Sequence, residues 1–252
     1  MTKHRPVQCL AVFLTLALLA ATAQAQSLRR NPNGPTTPFG GIAPPSGVLG
    51  ATSITQSTNT ATITSGNSVS CNGGSPGFFH TDNSYYRAFT LSSFNPPLTS
   101  TQFLVQSVTI GIETANASGT GTTQPMTVNV YSSTTNPPTN ASLTLLSTAN
   151  VNVSDQALTS LTVPLTTQPV FTVATGILVI EIFTPSGQAA GHSFFIGSNA
   201  LGQSGPSFIK AASCGITEIT SLAAIGFPNM HIVMTVNGNS QAPVGLETFS
   251  IE

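Results

Sequence analysis

The chain has 252 residues and carries few charges: six Lys or Arg against seven Asp or Glu, 5% of all positions, for a formal net charge of −1. An average domain is about 25% charged, and recruitment by nucleic acid or an anionic membrane needs clustered Lys and Arg, so both partners are excluded. Thr, Ser, Asn and Gln stand in place of charge, the neutral surface of a protein that works outside a cell.

Residues 1–8 include Lys3, His4 and Arg5, the run from Cys9 to Ala21 is almost wholly apolar, and Ala23-Gln24-Ala25 follows as a small-x-small pattern. Together these predict a secretory signal peptide over residues 1–25, cut after Ala25 to release Gln26. The apolar run is shorter than the about 20 residues that a membrane span requires. Cys9 lies inside that run and not at the cut, which argues against a lipid anchor. The released chain keeps four basic residues (Arg29, Arg30, Arg87, Lys210) against seven acidic ones, a net charge of −3. It is expected to be secreted, with no membrane attachment after cleavage. The two cysteines left, Cys71 and Cys214, predict a disulfide in an exported chain.

Residues 26–50 are rich in proline and glycine, with no apolar period, and read as a disordered leader. Ala51 to Ser65 alternates Thr with small or apolar residues, enough for one or two edge strands. Cys71-Asn-Gly-Gly-Ser-Pro-Gly77 is a turn held by its cysteine. Strands then follow at Ser84–Leu91, Phe103–Glu113 (Val108, Ile110 and Ile112 on one face) and around Met126, Val128 and Val130, broken by Pro96-Pro97 and Pro137-Pro138. Leu143–Val153, Leu161–Leu165 and Val170–Val173 supply three more. The run Gly176-Ile-Leu-Val-Ile-Glu-Ile-Phe-Thr-Pro185 is continuously apolar except for Glu181, and reads as a central strand covered on both faces. His192–Ile196, Phe208–Ala211 and His231–Val236 complete the set. Ile219–Ala224 reads as a helical turn, and residues 241–252 as a tail.

Short alternating strands joined by Pro and Gly turns predict an all-β, antiparallel sandwich in a single domain spanning residues 51–240. No period repeats, which excludes a solenoid or propeller. Between Ser84 and Gly238 the order of Leu-Thr-Val-Pro, Val-Phe-Thr-Val and Gly-Ile-Leu-Val-Ile-Glu-Ile segments resembles jelly-roll β-sandwich modules of the galactose-binding-like kind from secreted bacterial proteins. The resemblance implies a jelly-roll-like sandwich that binds glycans or other surfaces through loops at one end, and a structural calcium.

Candidate chemistry is sparse. There is no Gly-x-Ser-x-Gly elbow; Gly202-Gln-Ser204-Gly-Pro206 is a turn. His80-Thr-Asp82 lacks the partners of a transition-metal site, whereas Asp82 with Asn83 and nearby carbonyls suits calcium, the one cofactor suggested. Glycoside hydrolysis needs two facing carboxylates, for which Glu113 and Glu181 lie on predicted strands; the competing expectation pairs Glu181 with Arg87, the one strand-borne cation. Phe78, Phe79, Tyr85, Tyr86 and Phe94 cluster near one set of turns, with Phe194 and Phe195 near another. Core packing claims most phenylalanines, which leaves the tyrosines for the surface. The expected ligand contacts are His80, Tyr85, Tyr86 and Arg87. The function expected is non-catalytic binding of a glycan or another extracellular surface through end loops. The alternatives are a structural or adhesive envelope component and, third, a hydrolase with a dispersed site.

Overall fold

A computed structural model describes residues 26–40 and 51–241, apart from 75, 96, 99 and 118–120. The expected signal peptide, residues 41–50 of the expected leader and the expected tail beyond Gln241 lie outside the described residues.

Among the described residues sixteen strands run in chain order: β1 (Ser27–Arg30), β2 (Ala51–Thr55), β3 (Val69–Asn72), β4 (Asn83–Thr90), β5 (Gln102–Asn116), β6 (Thr123–Ser133), β7 (Leu143–Ser154) and β8 (Gln156–Pro164). They continue as β9 (Val170–Thr172), β10 (Ile177–Thr184), β11 (Ser193–Ile196), β12 (Ser198–Asn199), β13 (Ser207–Ala211), β14 (Ile216–Ser221), β15 (His231–Ile232) and β16 (Met234–Gln241). The strand pairings among the described residues are antiparallel, and the helices there are short 3-10 turns. None is long and apolar enough to cross a membrane.

The fold is an all-β antiparallel sandwich. One six-stranded sheet has the order β14-β13-β4-β10-β6-β7; the other runs β11-β5-β16-β2, with β8 and β9 also paired to the long β5. Alternation assigns the faces. Tyr85 and Phe89 of β4, Leu178, Ile180 and Ile182 of β10, and Val128 and Val130 of β6 point inward from the first sheet. They meet Val108, Ile110 and Ile112 of β5 and Val236 of β16 in one buried cluster. Each such side chain contributes roughly 1.5–3 kcal/mol on burial, so this seam is the main source of cohesion.

The run around Glu181 is a central strand, as its composition predicts: β10 lies between β4 and β6. Its other face is also covered, because Val179 packs with Tyr86, Ala88 and Phe208 in a second buried cluster. Cys71 and Cys214 form the expected disulfide, with Cα atoms 5.9 Å apart. Two expectations are corrected. Residues 27–30 of the supposed leader form β1, paired with β3 from Ser27↔Asn72 to Arg30↔Val69. The supposed helical turn at Ile219–Ala224 is strand to Ser221, and the turn comes at Ala223–Ile225.

Candidate functional site

The residues expected to touch a ligand are spent on the fold. Tyr85 and Tyr86 are 0% and 2% exposed, which overturns their placement at the surface, and Arg87 is 0% exposed. Tyr85 points between the sheets and donates its hydroxyl to the Val69 carbonyl at 3.1 Å. Arg87 also points inward, donating to the carbonyls of Ile232 at 2.5 Å and Gly205 at 2.7 Å. Burial draws its pKa down to about 9, so the cation persists at neutral pH. His80 is buried, with Nδ1 at 3.0 Å from the His192 carbonyl oxygen, and burial lowers its pKa from 6.5 to about 4.

Asp82 and Asn83, the pair assigned to calcium, point to different partners. Asp82 is exposed and accepts the Ser186 N–H at 2.7 Å. Asn83 is buried, its Oδ1 accepts the Cys71 N–H at 2.8 Å, and its amide donates to Thr81 O at 2.9 Å. That carbonyl oxygen is committed to the β3–β4 connection, so the two residues do not form a joint ligand set.

Glu181 does not meet Arg87 either. In the β4–β10 register Glu181 stands opposite Tyr86, while Arg87 stands opposite Ile180. The two charges therefore leave the sheet on opposite faces. Glu181 takes the Tyr86 hydroxyl on one oxygen at 2.8 Å, and the Tyr131 hydroxyl at 2.7 Å and Asn129 amide at 2.9 Å on the other. Burial alone would raise its pKa; the hydrogen bonds outweigh burial and hold it below the usual carboxylate range. Glu113 belongs to the other sheet and accepts Gly66 N–H at 3.0 Å and Ser68 N–H at 2.9 Å, so it is no partner for Glu181.

The outer face around Glu181 is a trough. Asn140, just before β7, donates to the Thr217 carbonyl of β14 at 2.9 Å, although β7 and β14 are the two outermost strands of that sheet. The sheet is thus curled outward and closed at one end over the second cluster. Its open end, a cleft of about 350 Å³, is lined by Asp82, Ser84, Asn129, Glu181, Phe183, Lys210 and Ala212. Two carboxylates share this cleft, which a hydrolase would require. Yet both oxygens of Glu181 are already occupied, and the group serves to hold β4, β10 and β6 together.

A second cleft, of about 320 Å³, forms where β2 and β4 end and where loops 93–95, 136 and 204–206 converge. Its lining is Thr55, Gln56, Thr90, Ser93, Phe94, Asn95, Asn136, Ser204, Gly205 and Pro206, with no ionisable side chain. The walls are fixed from behind. The Gln56 amide donates to Ala88 O at 2.7 Å, Ser204 N–H to Gln56 O at 2.8 Å, and Asn136 to the Thr90 hydroxyl at 2.9 Å. Arg87, misassigned as a contact, supports the cleft by gripping the Gly205 carbonyl. A Cβ at Gly205 would push the Gln56 amide out of its present position. Phe94 stacks on buried Phe89, with ring centroids 6.0 Å apart and planes 29° apart. The Gln56 Oε1 is buried without a hydrogen-bond partner.

No family model and no curated protein matches this chain. Among solved structures, the chain is similar to the cysteine protease and lectin-like domains of Cwp84, a surface layer associated protein of Clostridium difficile, at 12% identity and a TM-score of 0.49. The similarity covers 77% of this chain and 37% of that one.

Of the cleft residues, sequence reasoning named Phe94 among the aromatics and Ser204-Gly205-Pro206 only as a turn. Gln56, Asn95 and Asn136 went unnoticed, though Pro96-Pro97 and Pro137-Pro138 marked two of the loops.

Proposed function

We propose that the protein is a secreted, non-catalytic module that binds neutral polyhydroxylated ligands, glycans above all, in the cleft formed by the end loops. The observation that carries this is the uncharged lining of hydroxyls and amides around Phe94. The Phe94 ring offers an apolar face for stacking, while side chains held by backbone contacts lose little entropy on binding. The disulfide fits an oxidising compartment.

The test is a panel of neutral oligosaccharides probed with the chain from Gln26 onward. Binding in the micromolar-to-millimolar range is expected, and unchanged between about 0.1 M and about 1 M salt, because no charge takes part. Gln56→Ala and Asn95→Ala should each weaken it about tenfold, or ~1.4 kcal/mol. Binding that collapses in salt, or that ignores both substitutions, contradicts the proposal.

One observation favours a structural or adhesive role instead. The outermost strand β7 presents Leu145 and Leu146 to solvent, and open edges of this kind template strand addition. Silence across the panel together with concentration-dependent assembly would give that role precedence.

A further inference from the structure

We infer that a second cleft, at the far end of β6, takes a sugar unit of the same neutral polysaccharide, so that one molecule bridges two polymer chains; this rests on the glycan reading of the end-loop cleft. The two clefts bracket β6. Asn136 of the first lies just beyond Ser133, while Asp155 of the second donates its N–H to Thr122 O at 2.9 Å, just before Thr123. Eleven residues of strand separate them, about 35 Å at ~3.3 Å per residue. A short oligosaccharide cannot reach both.

The second cleft, of about 300 Å³, has its polar lining from Asn31, Asn33, Thr114, Asn116, Asp155 and Gln156. At its rim the Phe39 ring is 62% exposed. A single exposed phenylalanine is ordinary on a protein surface, but the backbone of this one is pinned. Phe39 N–H donates to Ala157 O at 2.8 Å and Ala157 N–H returns a bond to Phe39 O at 2.7 Å. Gly40 then turns with φ of +70°, its Cα pressed against the Asp155 carbonyl, where a Cβ would stand 2.9 Å away. Backbone contacts thus present an apolar ring beside amides, at little entropic cost on binding.

Asp155 is the one charge in the lining. Its Oδ1 accepts Ala117 N–H at 2.8 Å, which fixes the carboxylate as an acceptor for sugar hydroxyls. A ring for stacking, amides for orientation and a fixed carboxylate acceptor call for a pyranose with neutral substituents.

The test uses native affinity electrophoresis through gels containing a soluble mixed-linkage β-glucan or a galactomannan, with light scattering of the same mixtures to report cross-linking. The proteins are the chain from Gln26 onward, Phe39→Ala, Asn95→Ala and the double variant, each checked by thermal unfolding. Phe39→Ala should fold normally, since its ring is mostly in solvent. Each single variant should keep retardation, weakened roughly tenfold or less, and lose the rise in scattering; the double variant should lose both. Scattering by Phe39→Ala equal to that of the unsubstituted chain, with Asn95→Ala impaired, removes the second site and leaves the end-loop cleft standing. Complete loss in Phe39→Ala with no effect of Asn95→Ala removes the end-loop reading and the bridging with it. No retardation of the unsubstituted chain by either polymer overturns both.

Discussion

Arg87 and Glu181 show what parity does to a charge. Each is the one charged residue in its strand, and each answers its burial separately: Arg87 with the carbonyls of Ile232 and Gly205, Glu181 with two tyrosine hydroxyls and an amide. His80 differs, because its neutral form is the one that folding selects. Burial, reinforced by the nearby His192, lowers its pKa to about 4 against the pull of the His192 and Pro185 carbonyls. Below about pH 6.5 the unfolded chain takes up a proton that the folded site refuses until about pH 4, so stability falls as pH drops through that window. The loss is on the order of 3 kcal/mol. Urea midpoints measured from pH 7 to pH 4 should fall less steeply for His80→Asn, which keeps a donor toward the His192 carbonyl and cannot titrate. Parallel pH profiles would show that His80 is not the source of acid sensitivity.

At the scale of elements, the disulfide decides how β3 is held. Cys71 sits in β3, and Cys214 in the turn after β13, 143 residues later. β3 carries β1 by direct pairing, so the bridge fixes both strands to the end of the six-stranded sheet. Closing a loop that long restricts the unfolded chain by roughly 4–5 kcal/mol in the entropic account. Cys71→Ala with Cys214→Ala should lower the unfolding free energy by several kcal/mol, and early proteolysis should fall within residues 27–30 and 69–72. A double variant as stable as the parent would mean that the strand pairings alone fix this corner. The pairing of β1 was not legible locally: Ser-Leu-Arg-Arg has no strand alternation of its own and is strand only because β3 offers an edge. By contrast β10 was legible, since seven residues from Ile177 to Phe183 with one polar member fit no exposed element.

Over the whole molecule, alternation made the sandwich visible and left the sites hidden, for one physical reason. Which face a residue occupies follows from its own strand, whereas which residues meet depends on register with strands far away in sequence. Alternation alone puts Tyr85 and Arg87 on one face of β4, but that this face is the inner one depends on the sheet formed by β5 and β16. The end-loop cleft draws Gln56, Phe94, Asn136 and Gly205 from four separate connections, and no spacing in the sequence brings them together. Their common trait, the absence of charge, was legible only as composition. The most direct test of the account is amide chemical-shift mapping of the isotopically labelled chain, titrated with the best-bound oligosaccharide of the panel. The account predicts perturbations concentrated at Gln56, Ser93–Asn95, Asn136 and Ser204–Gly205, with the Glu181 trough unmoved. Perturbations centred on Ser84, Asn129 and Lys210, with the end loops silent, would contradict it.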